Sequence, residues 1–532
     1  MKVDFPATIL NIDPEPQVAT SPISQLPIDP LLAIFHTAVL AFDASALLPI
    51  TLSHVCARWR DLALSTSTLW RNIVVMNKLE TSSSSIEKTL KRVQAFLNLS
   101  RECTLSIDMT FDSWSLHEGE TDPENPYVIN LPFFRARIGD ISRTIAQYAH
   151  RIRNFKLTVD EFESTAAVMR GLGPVQMPVL ETWHVRNTYE DHAFNHPGNE
   201  PEYEEEVHAH SLLLRPDANT NDDSFPYPKL RRVNLRSTPL HWGRFSPRNL
   251  VSLELGMLQV ASRPSSPDLH KILLASAHSL VRVALYAALK GDDWIGTCAL
   301  PKLELLELGF TNTSEVIPFL SALQAPNLRR LAICDLMRQN HCACLGLGEA
   351  FDPNIAQFFN VMMQRLPLEN LRYLALSHIA LCPPPSGIPA PASHIEMYTA
   401  ALTFALKFFC QLTAVAELVL SGPDRATMEA LNHVLPSNME RHGTTAPRYP
   451  TPRLRNLVVA DAPFLVLHHF VKERVTNRKM FRPFDGFIVS MPRSWYELVE
   501  WVLLDVSVLA RNVSPRISCA HHHETETHIL AV

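Results

Sequence analysis

The chain has 532 residues, and 48 lysines and arginines against 54 aspartates and glutamates give it a formal net charge of −6. This mildly acidic balance gives no electrostatic reason to expect nucleic acid or an anionic membrane as a partner, since both favour a strongly basic surface. Only 16 glycines are present, which argues against glycine-rich phosphate loops and dinucleotide-binding turns. Hydrophobic residues make up 46% of the chain, enough for a large core, so wholesale disorder is excluded.

The N-terminal segment 1–21 is predicted to form a disordered tail, because Pro6, Pro14 and Pro16 interrupt every possible helix. The start also lacks the apolar stretch of a secretory signal, and no run reaches the ~18 apolar residues needed to span a bilayer. Nine cysteines without regular spacing fit reduced thiols better than a disulfide framework. We therefore expect a soluble intracellular protein, in the cytoplasm or the nucleus.

Three short helices are predicted over residues 22–76. Asp29 is expected to cap the first helix, and a second helix is expected to begin near Pro49. Helical spacing places one apolar stripe along this second helix, formed by Leu52, Val55, Cys56, Trp59 and Ala63. A third short element opens at Leu69. A unit this small commonly needs a partner to cover its remaining apolar surface.

Two segments of this unit carry a specific pattern. LPIDPLLAIF (26–35) matches L-P-x-E-(L/I)-L-x-x-I-F, and VCARWRDLALSTSTLWRNI (55–73) matches V-C-x-x-W-R-x-(L/I)-A followed by L-W-x-x-(I/L). Residues 24–73 therefore resemble an F-box, in a version similar to that of many fungal F-box proteins. Asp29 stands where the family usually has glutamate, and Pro30 stands where an aliphatic residue is usual.

The resemblance implies binding to the small Skp-type adaptor of cullin-RING ubiquitin ligases, and through it to a cullin. Nine positions correspond to the family's core and adaptor-facing residues: Leu26, Pro27, Ile34, Phe35, Val55, Cys56, Trp59, Leu69 and Trp70. Sequence reasoning does not divide these nine cleanly between core and interface. Trp59 is expected to be internal, whereas Leu26 and Pro27 precede the first helix and are expected at the interface.

Residues 77–149 are assigned to a linker and the first cap of a solenoid, and from about residue 150 a short apolar strand recurs. Its frame is close to L-x-x-L-x-L, as in Leu303, Leu306 and Leu308, which is typical of leucine-rich repeats in an irregular form. Equivalent leucines lie 20, 30, 23 and 25 residues apart, at Leu230, Leu250, Leu280, Leu303 and Leu328. The ten predicted strands fall within 150–159, 177–185, 227–235, 248–256, 278–286, 300–309, 325–333, 368–376, 413–421 and 451–459.

Helix-like stretches lie between the later strands, at 268–277, 315–324, 355–366, 398–412 and 464–475. This alternation predicts an α/β chain in which a three-helix F-box is followed by an irregular βα leucine-rich-repeat solenoid over 150–515, with a parallel sheet. One leucine strand cannot bury its face alone, whereas in a stack each leucine contributes roughly 1.5–3 kcal/mol by burial. One sequence does not reveal which of Trp183, Arg232, Tyr286 and Tyr373 points outward.

Interruptions at 190–226, 338–354 and 382–392 are predicted to be surface loops. The first contains the acidic run EPEYEEE (200–206), which is interpreted as a solvated loop, with a docking site for a basic partner as the alternative.

Groups capable of binding a metal occur twice, but neither set predicts a site. His341, Cys342 and Cys344 lack a second ligand cluster, and the His-rich tail over 516–532 is expected to be disordered. Motifs for phosphate loops, serine nucleophile elbows and zinc peptidases are missing from the sequence. The chain is therefore predicted to have no catalytic residue, no metal and no cofactor.

Three hypotheses for function follow. The chain is a substrate-recognition subunit of a Skp-cullin-F-box ubiquitin ligase, whose repeats bind a protein substrate. Alternatively, it is a non-catalytic scaffold or binding module that does not promote ubiquitination. The third hypothesis, an enzyme with a hidden metal site at His341, Cys342 and Cys344 or in the tail, has the least support. The identity of a substrate lies beyond the sequence.

Overall fold

The computed structural model describes residues 22–41, 47–77, 83–111, 131–188, 227–341, 352–382, 392–433, 450–476 and 486–490, apart from residues 161, 174, 239, 353 and 463. Both predicted tails, the acidic run, Cys342, Cys344 and most of the proline-rich segment lie outside these ranges. No helix in them is long and apolar enough to cross a membrane.

The described helices are distributed along the whole of this chain. They are α1 Ile28–Ala41, α2 Leu48–Val55, α3 Ala57–Ser65, α4 Ser83–Leu99, α5 Leu131–Ala146, α6 Phe162–Leu172, α7 Ser266–Ala275, α8 Ile317–Ala322, α9 Leu336–His341, α10 Ile355–Arg365, α11 Ala392–Gln411, α12 Arg425–Asn432 and α13 Phe464–Thr476. Each of the five helical stretches predicted between the later strands overlaps one of these helices, α7, α8, α10, α11 or α13.

The strands are β1 Asn72–Asn77, β2 Leu105–Phe111, β3 Ile152–Val159, β4 Thr182–Asn187, β5 Arg232–Arg236, β6 Ser252–Gly256, β7 Arg282–Tyr286, β8 Cys298–Ala299, β9 Leu305–Phe310, β10 Leu323–Gln324, β11 Arg330–Asp335, β12 Tyr373–Ser377, β13 Glu417–Ser421, β14 Asn456–Ala460 and β15 Gly486–Ser490. All ten predicted strands are present. The segment 77–149, assigned to a linker and cap, contributes α4, β2 and α5.

Thirteen of the strands in the described ranges form one large sheet in which every neighbouring pair is parallel, so the predicted parallel sheet is confirmed. These strands follow one another in chain order, and among the described strands only the short β8 and β10 pair separately. A chain that adds each strand next to its predecessor must cross over on one side each time, which places the connecting helices there.

Side chains alternate between the two faces of this sheet. In β2, Leu105, Ile107 and Met109 are buried, and the residues between them are partly exposed. The buried rows join the helix side chains in one continuous core that extends from α1 to α13. Side chains on the opposite face, which we call the polar face, include small apolar clusters separate from that core, one around Tyr286 and one around Tyr373.

The leucine frame is buried as expected, since Leu230, Leu250, Leu280, Leu303 and Leu328 are each at most 1% exposed. The backbone repeats with them. At the start of eight successive strands of the sheet, from β5 to β14, two consecutive N–H groups donate to one carbonyl oxygen beside the preceding strand. Val251 and Ser252, for example, both donate to Arg231, at 2.7 and 3.1 Å.

A second backbone feature recurs at the ends of the strands. Six residues that directly follow strands have φ between 47° and 57°, namely Ser237, Met257, Ala287, His378, Gly422 and Asp461. In five of them, all but Asp461, the N–H donates to a carbonyl at the end of the next strand in the sheet, as Met257 does to Tyr286 at 2.7 Å. Only one of the six is glycine, so this chain accepts roughly 1–2 kcal/mol of left-handed strain at each of the others.

The N-terminal helices differ from the sequence expectation in two places. Helix α1 begins at Ile28, so Asp29 lies in the first turn rather than at the cap, where its charge still favours the helix N-terminus. The single apolar stripe predicted through Val55 and Cys56 is wrong, because α2 ends at Val55 and α3 begins at Ala57. Cys56 is extended between them, and its Sγ accepts a hydrogen bond from the Trp59 N–H at 3.5 Å.

Candidate functional site

The N-terminal helices pack around a small apolar core. Leu31 and Phe35 from α1 are fully buried, and Leu52 and Ala63 add to the core from α2 and α3. The ring of Phe35 meets Trp59 edge to face, with 4.9 Å between the centroids. This core accounts for one side of each helix and leaves their other sides to solvent.

Trp70 joins this unit to the sheet. Its indole N–H donates to the Ala63 carbonyl at 2.7 Å, and its ring packs edge to face on Phe96 of α4 at 4.9 Å. Strand β1 begins two residues later and is the edge strand of the large sheet. The helical unit and the sheet are therefore connected through a shared strand and a buried aromatic pair.

The nine residues predicted from the sequence divide into three groups. Phe35, Leu69 and Trp70 are at most 3% exposed and belong to the core. Pro27, Ile34, Val55 and Cys56 are exposed, with Ile34 at 47% and Val55 at 56%. Leu26 and Trp59 are partly buried. Trp59 packs on Phe35 but is only partly buried, so it is not wholly internal as expected.

Hydrogen bonds hold the segment before α1, and α1 itself, against the elements that follow. The Arg58 guanidinium on α3 donates to the carbonyl oxygen of Leu26, and Thr68 lies 3.3 Å from the His36 ring. Leu26 and Pro27 are thereby fixed close to the start of α3, rather than extending freely from α1.

Sequence reasoning missed four exposed apolar side chains in the part of this unit before β1, which are Ile23, Ile28, Leu47 and Leu64. With Ile34 and Val55 they form the set that we call the N-terminal apolar residues. These six are among the thirteen large hydrophobic side chains that stand out as exposed in the described ranges, yet they all fall within the short N-terminal unit. Such a concentration is typical of a protein-binding surface. Hydrophobicity alone could not identify them, because the same residue types fill the core.

The polar face of the sheet carries a partly buried ionic network. The Tyr286 hydroxyl donates to Glu307 Oε2 at 2.5 Å, and Arg282 contacts Glu307 at 3.1 Å and Glu254 at 3.2 Å.

The structure also shows on which face of the sheet the large aromatic side chains lie. Trp183 packs inward against Tyr227 and Phe245, whereas Tyr286 and Tyr373 belong to the polar face.

Histidine, serine and aspartate meet at one point on the sheet, at the ends of β12, β13 and β14. Ser421 Oγ lies 3.5 Å from His378 Nε2 and 3.3 Å from Asp461 Oδ2. Burial lowers the pKa of His378. In a nucleophilic relay the carboxylate would orient the histidine, whereas this carboxylate accepts its hydrogen bond from the serine. The described contacts therefore differ from those of a serine nucleophilic relay.

Metal ligands do not cluster in the part of the chain that the structure describes, where no group of three or more His, Cys, Asp or Glu side chains could hold an ion. His341 ends α9, and its predicted neighbours Cys342 and Cys344 lie outside the described residues.

Comparison with known families identifies the N-terminal unit. Residues 23–76, about a tenth of the chain, match the family model described as F-box-like. The matched segment contains α1, α2, α3 and most of β1, so the resemblance in the sequence is confirmed for this domain. No curated protein matches the chain. An F-box-like domain implies binding to a Skp-type adaptor in an SCF-type ubiquitin ligase, and such domains are typically non-catalytic adaptors.

Proposed function

We propose that this protein is a substrate-recognition subunit of a Skp-cullin-F-box ubiquitin ligase. The observation that carries the proposal is the F-box-like match over residues 23–76, in a unit whose part before β1 exposes six large apolar side chains. An adaptor that covered them would remove this apolar surface from water, at about 25 cal/mol per Å².

The adaptor-facing residues in this proposal are the exposed members of the predicted set. Pro27, Ile34, Val55 and Cys56 contact the adaptor directly, and Leu26 and Trp59 contribute their accessible parts. Among the residues that the sequence did not single out, Ile28, Leu47 and Leu64 extend the same surface. Phe35, Leu69 and Trp70 act indirectly, by holding the helices in position.

We further propose that the repeating strand units are irregular leucine-rich repeats and that their polar face binds a protein substrate. The support for this is the buried leucine frame, the carbonyl that accepts two N–H groups at the start of eight strands, and the left-handed residue after six strands. A sheet built this way is stiff, and Trp70 and β1 tie it to the F-box. It can therefore hold a bound protein at a fixed distance from a ubiquitin-charged enzyme.

Co-purification with a Skp-type adaptor tests the first part. The double variant Ile34→Asp, Val55→Asp places two carboxylates in the contact and should abolish co-purification, because burying an unpaired charge costs several kcal/mol. The matched control is Val260→Asp, Leu465→Asp, which changes two residues that are 62% and 77% exposed elsewhere on the chain. The control should co-purify as the wild type does. Equal adaptor binding by both double variants would refute the proposed interface.

A binding module that does not promote ubiquitination would also bind the adaptor. The two functions differ in their effect on partners that the chain captures. A recognition subunit predicts that these partners become longer-lived in cells when Ile34→Asp, Val55→Asp replaces the wild type. Unchanged half-lives, with adaptor binding by the wild type intact, favour the scaffold.

A further inference from the structure

The polar face concentrates positive charge at one place, on three neighbouring strands. Lys156 of β3 and His184 of β4 are register partners, and so are Arg186 of β4 and Arg236 of β5. We call these four residues the basic patch, in which Lys156, Arg186 and Arg236 carry the positive charge, because the pKa of His184 is about 4 and its ring is neutral near pH 7. Neighbouring strands lie ~4.8 Å apart, so the patch extends over roughly 10 Å across the sheet. It is unusual in a chain whose formal net charge is −6.

The acidic side chains Asp108 and Glu254, on either side of the patch, are each paired with a cation. Asp108 pairs with Lys156 at 3.0 Å, and on the other side Glu254 is engaged by Arg282 at 3.2 Å. The pKa of His184 reflects the electrostatic potential at this place. Burial, followed by the nearby charges of Lys156, Arg186 and Arg236, lowers this pKa to about 4. Each of these charged neighbours acts in the same direction, so the local field is positive.

The sheet holds Arg236 in a defined position. Its side chain crosses Gly256 of β6, where a Cβ atom would lie 3.3 Å from Arg236 Nε. The guanidinium reaches to within 6.0 Å of the centre of the Tyr286 ring, which the Glu307 hydrogen bond in turn fixes. Arg236 Nε is shielded from solvent and has no hydrogen-bond acceptor among the described residues. An arginine ordered beforehand loses less entropy when an anion binds beside it.

We propose that the basic patch binds an acidic segment of a partner protein, one rich in aspartate and glutamate, on the polar face of the sheet. The proposal rests on the proposed function, of which it names the substrate class. Charge complementarity selects the occupant. Carboxylates fit better than a single phosphate group, because the cations are spread over three strands and Arg236 is directed towards Tyr286.

Fluorescence anisotropy with the full-length chain provides the test. The probe is a labelled peptide of alternating glutamate and serine, and the reference is the same peptide with glutamine in place of glutamate. We expect binding of the acidic peptide only, weakening strongly between about 0.1 M and about 1 M salt as the Debye length falls from ~10 to ~3 Å. Equal binding of both peptides would overturn the proposal.

The double variant Lys156→Gln, Arg186→Gln should weaken binding of the acidic peptide by about tenfold. Its matched control, Lys271→Gln, Arg365→Gln, also removes one lysine and one arginine, from exposed positions on α7 and α10. The control should bind as the wild type does, and all three proteins should unfold at the same temperature. Wild-type affinity in the first double variant would overturn the proposal.

Three further arms identify other occupants. At least tenfold tighter binding of a phosphoserine peptide of the same length, or of polyuridylate RNA, would replace the acidic segment by that ligand. The third arm changes every glutamate of the chain's own run at 200–206 to glutamine. Peptide binding that is seen only in this variant would show that the chain itself fills the patch, and would overturn the proposal.

Adaptor binding separates this proposal from the proposed function. The variant Lys156→Gln, Arg186→Gln should still co-purify with the Skp-type adaptor. Peptide binding by a wild-type chain that fails to bind the adaptor would refute the ligase function and leave the patch standing. Adaptor binding by a wild-type chain that does not bind the acidic peptide would refute the patch and leave the ligase function standing.

Discussion

Replacing Tyr286 by phenylalanine should destabilise the sheet by removing one hydrogen bond. The Tyr286 hydroxyl and the Glu307 carboxylate belong to nearly inaccessible residues, at 5% and 3% exposure, and their oxygens are 2.5 Å apart. Burial and the neighbouring Glu307 raise the pKa of this hydroxyl well above its ordinary value, so the hydroxyl retains its proton and acts as the donor.

The expected loss in the free energy of unfolding depends on the contacts that Glu307 retains. A hydrogen bond to a charged group contributes about 1.5–3 kcal/mol, and a buried carboxylate that loses its donor costs a similar amount. Glu307 retains Arg282 at 3.1 Å, so it does not become a lone buried charge. We therefore expect Tyr286→Phe to lower the free energy of unfolding by about 2 kcal/mol. In a Glu307→Gln background the same change should cost less than about 1 kcal/mol, because the acceptor is no longer charged.

Equilibrium unfolding in urea, followed by far-ultraviolet circular dichroism, measures this difference. The matched control is Tyr373→Phe, since Tyr373 lies on the same face under Arg330, at 4.7 Å, and its hydroxyl makes no hydrogen bond to the described residues. The control should change the free energy by less than about 0.5 kcal/mol, as is usual for a substitution that removes no buried contact. Equal losses for the two tyrosines, or a change for Tyr286→Phe as small as that expected of the control, would refute the role given to the Glu307 contact.

Two further predictions concern buried positions of the sheet. Burial raises the pKa of Asp335 from 3.8 to about 6, so the folded state favours the protonated carboxyl. The contribution of this group to the free energy of unfolding is present below pH 3.8 and is lost as the pH rises through 6. In thermal melts Asp335→Asn should therefore be more stable than the wild type by about 1–3 kcal/mol at about pH 7.5, with little difference at about pH 4. A Cβ atom at Gly309 would lie 2.6 Å from the Tyr286 ring, whereas at Gly256 it would meet the flexible side chain of Arg236 at 3.3 Å. Gly309→Ala should cost about 1–3 kcal/mol in urea unfolding and Gly256→Ala less than about 1 kcal/mol, and the reverse order would contradict this packing.

Local patterns in the sequence were sufficient to predict most of the architecture. The L-x-x-L-x-L frame located ten strands because the strand core needs leucine at two alternate positions and one more before them, whatever lies between the repeats. The F-box pattern could be recognised in the same way, since its apolar residues occur at fixed spacing within one short segment. The strained left-handed backbone conformations after the strands could not be predicted from a sequence pattern. Apart from one glycine, the left-handed residues after the strands are serine, methionine, alanine, histidine and aspartate, which follow no compositional rule.

Burial in three dimensions decided what the nine predicted F-box residues do. Ile34 and Phe35 are neighbours in the sequence with similar hydrophobicity, yet one is 47% exposed and the other is buried, because a helix turns by about 100° per residue. The break at Cys56 is likewise seen only in the structure, where Cys56 is extended and its Sγ accepts a hydrogen bond from the Trp59 N–H.

The basic patch shows most clearly which features the sequence predicts and which depend on the tertiary structure. Lys156, His184 and Arg236 are far apart in the chain, and a long segment that contains the acidic run lies between β4 and β5. In sequence they are isolated polar residues of three strands. Parallel register brings them together, because a shift of one residue would have turned each of them into the leucine core. The sequence by itself therefore determined the repeating strands and the F-box, and the tertiary structure decided which side chains are left to meet a partner.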